Sequence, residues 1–178
     1  DGQYDEIKEI FWASGACFLI RSKVFWRLGG FDNDFFAHQE EIDLCWRAHN
    51  LNYKALAVGS SKVYHIGGST LPISAKKTYL NHRNSLIMIV KNVPNRNLYS
   101  IMFFRLILDG LIGLSFFLKF KFSFTWAIIR AHYAFFKKFK YVKIKNIDEI
   151  KRSDYFFVKN ILIEYFFKRR RYFTDLNK

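Results

Sequence analysis

Glu40 and Glu41 stand side by side at the head of a segment, residues 39–50, whose pattern reads as a helix, and Asp43 follows in its first turn. Adjacent carboxylates can divide labour. A carboxylate can act as a general acid or base, and a helix N-terminus steadies its charge. Asp43 lies four residues before Arg47, the spacing of a helical ion pair, so its role is support rather than chemistry. Without further context the whole cluster reads as plain N-terminal helix charge, worth about 0.3–1 kcal/mol per carboxylate. His65 ends a predicted strand ahead of Gly67-Gly68-Ser69, which puts an imidazole at a sheet edge where a loop begins. A glycine-rich loop of this kind offers backbone amides to phosphate oxygens, a weak signal by itself. A zinc site built from Cys17, Cys45, His38 and His65 lacks the tight paired spacing such sites use.

The elements that must position these groups follow from punctuation and periodicity. Residues 16–20 form an apolar run suited to a buried strand, and Ser22 is the expected N-cap of a short helix through Leu28 that stops at Gly29-Gly30. Residues 31–37 form an aromatic, Asp-punctuated loop into the helix at 39–50. Residues 53–58 and 62–65 read as two strands joined by the Gly59-Ser60-Ser61 turn. Helix resumes at about residue 75 and stops at Val93-Pro94. Beyond it come three aromatic, helix-length segments, at about 98–120, 123–140 and 154–171.

The chain has 178 residues, 51% apolar and 20% aromatic, ample for a packed core. Its net charge of +14 is uneven: residues 1–97 hold 12 Lys+Arg against 9 Asp+Glu, and residues 98–178 hold 17 against 6. The basic half could meet an anionic membrane surface or nucleic acid. Phe, Ile and Tyr alternating with Lys and Arg favour the headgroup layer of a membrane, so nucleic acid is not expected as a partner. Residues 101–118 approach the length of a span but carry Arg105 and Asp109, four apart and able to pair. With two cysteines in apolar surroundings, the composition suggests a reduced, cytoplasmic protein with buried thiols. No secretory signal is visible. The start, without methionine or a glycine-rich opening strand, reads as that of a C-terminal fragment or truncated reading frame.

In order along the chain, Trp12-Ala13-Ser14-Gly15-Ala16-Cys17, Leu28-Gly29-Gly30-Phe31-Asp32, the 38–47 segment and Tyr64-His65-Ile66-Gly67-Gly68-Ser69 resemble the C-terminal part of the catalytic domain of family-2, rhamnosyltransferase-like bacterial glycosyltransferases, which have the GT-A fold. The resemblance covers roughly residues 10–95. It implies an α/β fold, the C-terminal half of a GT-A-type α/β/α sandwich over residues 1–95 without the nucleotide-binding half, and the composition adds a basic, aromatic, membrane-associating region of amphipathic helices over 96–178. It also implies an inverting enzyme that moves a sugar from a nucleotide-sugar donor to a hydroxyl of a lipid-linked or polysaccharide acceptor in cell-surface glycan synthesis.

By that alignment Glu41 is the catalytic base and Glu40 binds acceptor hydroxyls. Many relatives have Asp at the second position, one methylene shorter, so the two glutamates compete for the base role. Trp12 and Gly15 line the acceptor side, although a core role for Trp12 stays open. Asp32 and Gly68 belong to substrate-contacting segments. Arg83, in Lys77-Thr78-Tyr79-Leu80-Asn81-His82-Arg83-Asn84, is either a diphosphate contact or a helix-surface group. His65 is a ligand of a divalent cation, Mn²⁺ or Mg²⁺, or else a hydrogen-bonded core histidine. The remaining ligands would come from an Asp-x-Asp motif. Asp32-Asn33-Asp34 has that spacing but matches a different family segment. The expected location is the cytoplasmic face of a membrane, peripheral, with 101–118 long enough to insert. The rival reading is a non-catalytic module that binds a membrane surface or nucleic acid.

Overall fold

The computed structural model describes residues 5–66, 73–145, 150–152, 154, 158 and 161–172. In chain order the elements are β1 (Ile7–Ile10), α1 (Ser22–Arg27), α2 (Glu40–Asn50), β2 (Ala55–Val58), α3 (Ala75–Asn92), α4 (Asn95–Leu118) and α5 (Phe122–Lys145), with a π-helical turn at Ile163–Phe167. The described residues are mostly helical. β1 and β2 pair antiparallel, Ile7 opposite Val58 and Ile10 opposite Ala55, and the Lys54–Glu9 ion pair (2.8 Å) flanks the ladder.

The helices begin and end where local chemistry requires. Ser74 caps α3 by accepting from the Lys77 amide, and Val93-Pro94 ends it, since Pro has no amide to continue the ladder. α1 starts without a side-chain cap, because Arg21 and not Ser22 holds the capping position. It stops at Gly29 and Gly30, both in the left-handed region (φ 78° and 68°) that glycine enters without a Cβ penalty.

The core draws on both compositional halves. Phe35, Trp46, Leu86, Ile87, Ile89, Val90 and Val93 pack with Leu98, Met102, Phe135 and Val142. α3 makes its most extensive contacts with α5, and α4 folds back along α5. The inward stripe of α4 is Leu98, Met102, Asp109 and Gly113, spaced as one helical face. Arg105 and Asp109 pair at 2.9 Å as their spacing predicts. The rest of α4 is open: Phe103, Phe104, Ile107, Leu111, Leu114, Phe117 and Leu118 are all exposed. Among the described residues, α4 is the one helix long and apolar enough to cross a membrane by length and composition.

Several local expectations are corrected. Residues 16–20 form no strand, and Leu19 is 99% exposed. Residues 62–65 form no strand either, and Tyr64 is equally open. Among the described residues β1 and β2 are the only ladder, and a strand without a partner leaves its backbone groups to water. Cys17 is exposed and Cys45 half-buried, so neither is the buried thiol expected. Within 154–171 the described part is a short π turn rather than a long helix.

Candidate active site

α2 sets out the carboxylates, and the chain leaving β1 runs along it in the opposite direction. The Phe11 ring stacks on the His49 imidazole (4.9 Å, 8°) and meets Trp46 edge-on, while the Phe11 carbonyl lies 2.8 Å from His49 Nε2. Two residues later, the Ala13 backbone hydrogen-bonds the Cys45 thiol. Two further on, a Cβ placed on Gly15 would lie 3.5 Å from Glu41 Cδ and 3.6 Å from Cγ. This pairing of 11, 13 and 15 with 49, 45 and 41 has a geometric cause: two extended residues advance about 6.6 Å and four helical residues about 6 Å. The strip therefore delivers Gly15 onto Glu41. Trp12, on the alternate side of the strip, is 49% exposed and meets the Phe11 ring edge-on, so it is not a core residue.

Glu41 is half-buried, and its carboxyl is raised above the ordinary carboxylate value of 4.5. Burial is the main cause. Glu41's own backbone amide opposes it, and the neighbouring charge of Glu40 adds to it. Burial likewise pushes the Cys45 thiol up, which keeps it protonated beside Glu41. Gly15 has no left-handed φ, so alanine fits there. Gly15→Ala places a methyl in van der Waals contact with the Glu41 side chain and removes water from it. The expected result is a folded variant whose acidic limb of activity moves to higher pH, read from the pH profile of kcat/KM. An unmoved limb would mean that Glu41 is not the titrating group.

The approach to α2 is strained. Phe36, His38 and Gln39 all sit in the left-handed region (φ 64°, 69° and 71°), a cost of order 1–3 kcal/mol per non-glycine residue. α3 holds them there. Asn84 Nδ2 donates to the carbonyls of Phe35 (3.0 Å), Ala37 and His38 (both 2.8 Å). Arg83 Nη2 donates to the carbonyls of Asp34 (2.8 Å) and Phe35 (3.0 Å) and to Asn84 Oδ1. Gln39 Nε2 reaches Ser85 Oγ at 2.8 Å, and Phe35, wholly buried, anchors the loop. Three atoms emerge from this clamp buried and without a hydrogen-bond partner among the described residues: His38 Nε2, Gln39 Oε1 and Glu40 Oε2. Strained backbone and unsatisfied buried polar atoms coincide on this stretch, a combination that clusters at functional sites.

The other predicted residues take varied places. Asp32 is tied down: Oδ1 accepts from the Asp34 amide and Oδ2 pairs with Lys91 at 2.7 Å. Arg83 spends its fork on loop carbonyls and lies over the Tyr79 ring, so it supports the loop that carries the glutamates. Asp43 is fully buried and pairs with Arg47 (2.8 Å) and Lys91 (2.9 Å), the support role its spacing indicates. Asp34 pairs with Lys138, which leaves 32–34 occupied with other partners. His65 lies on the exposed stretch 61–66; among the described residues no hydrogen bond or ion pair joins it to Glu40 or Glu41. Gly68 lies outside the described residues. A divalent cation needs several oxygen or nitrogen donors, and among the described residues no cluster of three ligating His, Cys, Asp or Glu side chains includes His65, Glu40 or Glu41.

Asn84, His38 and Gln39 are the site residues the sequence reading gave no role. Asn84 carried a signal: it sits four residues after Leu80 and three before Ile87, on the apolar stripe of α3, where a lone amide is out of pattern. A cleft lies elsewhere, at the far end of α2, lined by Glu9, His49, Asn52, Tyr53, Lys54, Arg152 and Asp154. Its charges already pair with one another, Lys54 with Glu9 and Arg152 with Asp154, so geometry and chemistry favour the Glu41 region.

No family model matches the chain, and no solved structure does. Curated relatives exist. The chain is 30% identical over 83 residues to an N-acetylglucosaminyl-diphospho-decaprenol L-rhamnosyltransferase of Mycobacterium tuberculosis, a match that covers 46% of this chain and 27% of that enzyme. It is 30% identical over 88 residues, 48% of this chain and 29% of the relative, to a low-salt glycan biosynthesis hexosyltransferase of Haloferax volcanii. The matched stretch thus spans between a quarter and a third of those relatives. Nearly half of this chain is similar to a part of known glycosyltransferases.

Proposed function

We propose that this chain is part of an inverting glycosyltransferase that moves a sugar from a nucleotide-sugar donor to a hydroxyl of a lipid-linked or polysaccharide acceptor. One observation carries the reading: Glu41, with a raised carboxyl, lies against Gly15 and directly follows Gln39 and Glu40, each of which has a buried acceptor atom without a hydrogen-bond partner among the described residues. Those atoms suit donor hydroxyls of a sugar. Glu41 takes the hydroxyl proton as the oxygen attacks the anomeric carbon, and the bond to the nucleoside diphosphate breaks with its electron pair leaving on the diphosphate. Raised above the ordinary carboxylate value, Glu41 is a stronger base than a free glutamate and better able to accept that proton. His65 is the one ligand this stretch would bring to the expected Mn²⁺ or Mg²⁺, which would offset charge on the leaving diphosphate when bound.

The same proposal places the fold as the later half of a GT-A-type sandwich and the protein at the cytoplasmic face of a membrane. Open aromatic faces on α4 and α5, with the basic balance of residues 98–178, favour an anionic lipid surface. The test uses the protein at its natural length, a panel of nucleotide sugars, and a polyprenyl-diphosphate-linked acceptor in anionic or neutral vesicles. The expected result is nucleoside diphosphate released in step with acceptor elongation, faster on anionic vesicles. Failure to elongate the acceptor with any donor would overturn the reading.

A further inference from the structure

α3, α4 and α5 each bring one metal-ligating side chain to a common point inside the bundle. His82, Asp109 and His132 present ligand atoms that all lie within 4.8 Å of one another, with His82 and Asp109 buried and His132 half-buried. His132 Nε2 is 3.0 Å from Asp109 Oδ2, a hydrogen bond. His82 Nδ1 is 2.9 Å from Asp109 Oδ1, yet neither atom has a hydrogen-bond partner among the described residues. Two buried polar atoms this close are at the spacing of neighbouring ligands of one ion. With metal–ligand bonds of about 2.0–2.1 Å, neighbouring ligand atoms lie about 3 Å apart.

We propose that His82, Asp109 and His132 form a binding site for a divalent transition-metal ion of the zinc class that staples α3 to α4 and α5. Two imidazoles and one carboxylate form a donor set that suits Zn²⁺ better than Mg²⁺ or Ca²⁺, which prefer all-oxygen shells. The site uses none of the residues assigned to sugar transfer and stands without that reading. Its consequence reaches the same region, because His82 directly precedes Arg83 and Asn84, which hold the strained approach to α2. Arg105 is the competitor. Its Nε lies 2.9 Å from Asp109 Oδ1, also without hydrogen-bond alignment, on a side chain 31% exposed. Metal entry requires that guanidinium to swing toward solvent.

The experiment titrates the whole chain with ZnCl₂ against a chromophoric chelator and follows thermal unfolding in parallel. The expected result is saturable uptake of a single Zn²⁺ per chain, a higher Tm with metal, and no such effect from millimolar MgCl₂. His132→Gln, at the least buried ligand, is expected to stay folded by circular dichroism and to weaken Zn²⁺ binding by about a hundredfold, the upper end of what loss of a supporting group costs. Arg105→Gln removes the competing cation and is expected to tighten binding by about tenfold, within the range typical for loss of a nearby charge. Uptake in the wild type no greater than in a His82→Gln/His132→Gln double variant would overturn the site. So would His132→Gln binding Zn²⁺ as tightly as wild type, or Arg105→Gln binding it no tighter.

Discussion

Replacing Glu41 by glutamine in the protein at its natural length will reduce sugar transfer by at least about a thousandfold, in line with losing a general base together with its orientation of the attacking hydroxyl. The substitution changes one oxygen to an amide and leaves shape, so the fold will survive. Its stability will not fall, and the sign can be worked out. Glu41's folded carboxyl titrates above its unfolded value, so between those two values the folded state holds the proton that the unfolded state has released. Stability therefore falls as pH rises through that window, and above it the ionised Glu41 is a standing cost. Glutamine removes that cost. At neutral pH the Tm of the variant will equal or exceed the wild type's, and the wild type's advantage from acidification above pH 4.5 will shrink. Lost transfer with an unchanged or raised Tm is what a poised base predicts. Transfer within tenfold of wild type would leave the doublet as helix-end charge, and Glu40→Gln measured alongside would show whether the roles of the two are exchanged.

How much of this site can be read from sequence depends on how local its causes are. The Asp43–Arg47 pair, the stop at Gly29-Gly30 and the end of α3 at Val93-Pro94 are set within four or five residues, and the spacing announces them. β1 is different. Its residues Ile7–Ile10 are largely exposed, so no apolar alternation marks it, and only the ladder with β2, far along the chain, makes it a strand. The reverse holds at 16–20. That run has strand-like composition, but Ser14 turns the chain, its Oγ and carbonyl accepting from the amides of Ala16 and Cys17, and no ladder forms among the described residues.

The strained approach to α2 is hidden for the same reason. Phe36 and Gln39 are not residues that advertise a left-handed backbone, and the loop that holds them there is gathered by Asn84, some 46 residues later in the chain, which binds the carbonyls of Phe35, Ala37 and His38. The glutamate doublet can thus be visible in the sequence while its cradle is not. The cradle is made of backbone geometry enforced from another helix. This also explains why Arg83, plausible as an anion contact from its guanidinium alone, turns out to face loop carbonyls: the loop that needs it is invisible until folded.

Asp43→Ala will destabilise the fold by about 3–5 kcal/mol, the cost of stripping a buried carboxylate from its partners, and will lower Tm by roughly 10 °C or more at the usual conversion for a chain this size. Asp43 is wholly buried, and three groups depend on it: Arg47 Nε, Lys91 Nζ and Asn92 Nδ2, all within 2.9 Å. Arg47 keeps carbonyl partners at Leu28 and Gly30, but neither carbonyl neutralises its charge. Lys91, also buried, keeps Asp32. The loss therefore falls on an arrangement with two cations and one remaining acid, which sequence spacing alone, showing only Arg47, would underestimate. Asp32→Ala is the contrasting measurement. Asp32 is partly exposed, and Lys91 would retain Asp43, so its cost will be about 1–2 kcal/mol, near that of a single hydrogen bond to a charged group. Chemical denaturation of the two variants distinguishes the cases, with equal costs arguing against Asp43 as the hub. Because Asp43 supports and does not react, the Asp43→Ala protein that remains folded at low temperature will transfer sugar within about tenfold of wild type per folded molecule, whereas loss on the scale of Glu41→Gln would move Asp43 into the chemistry.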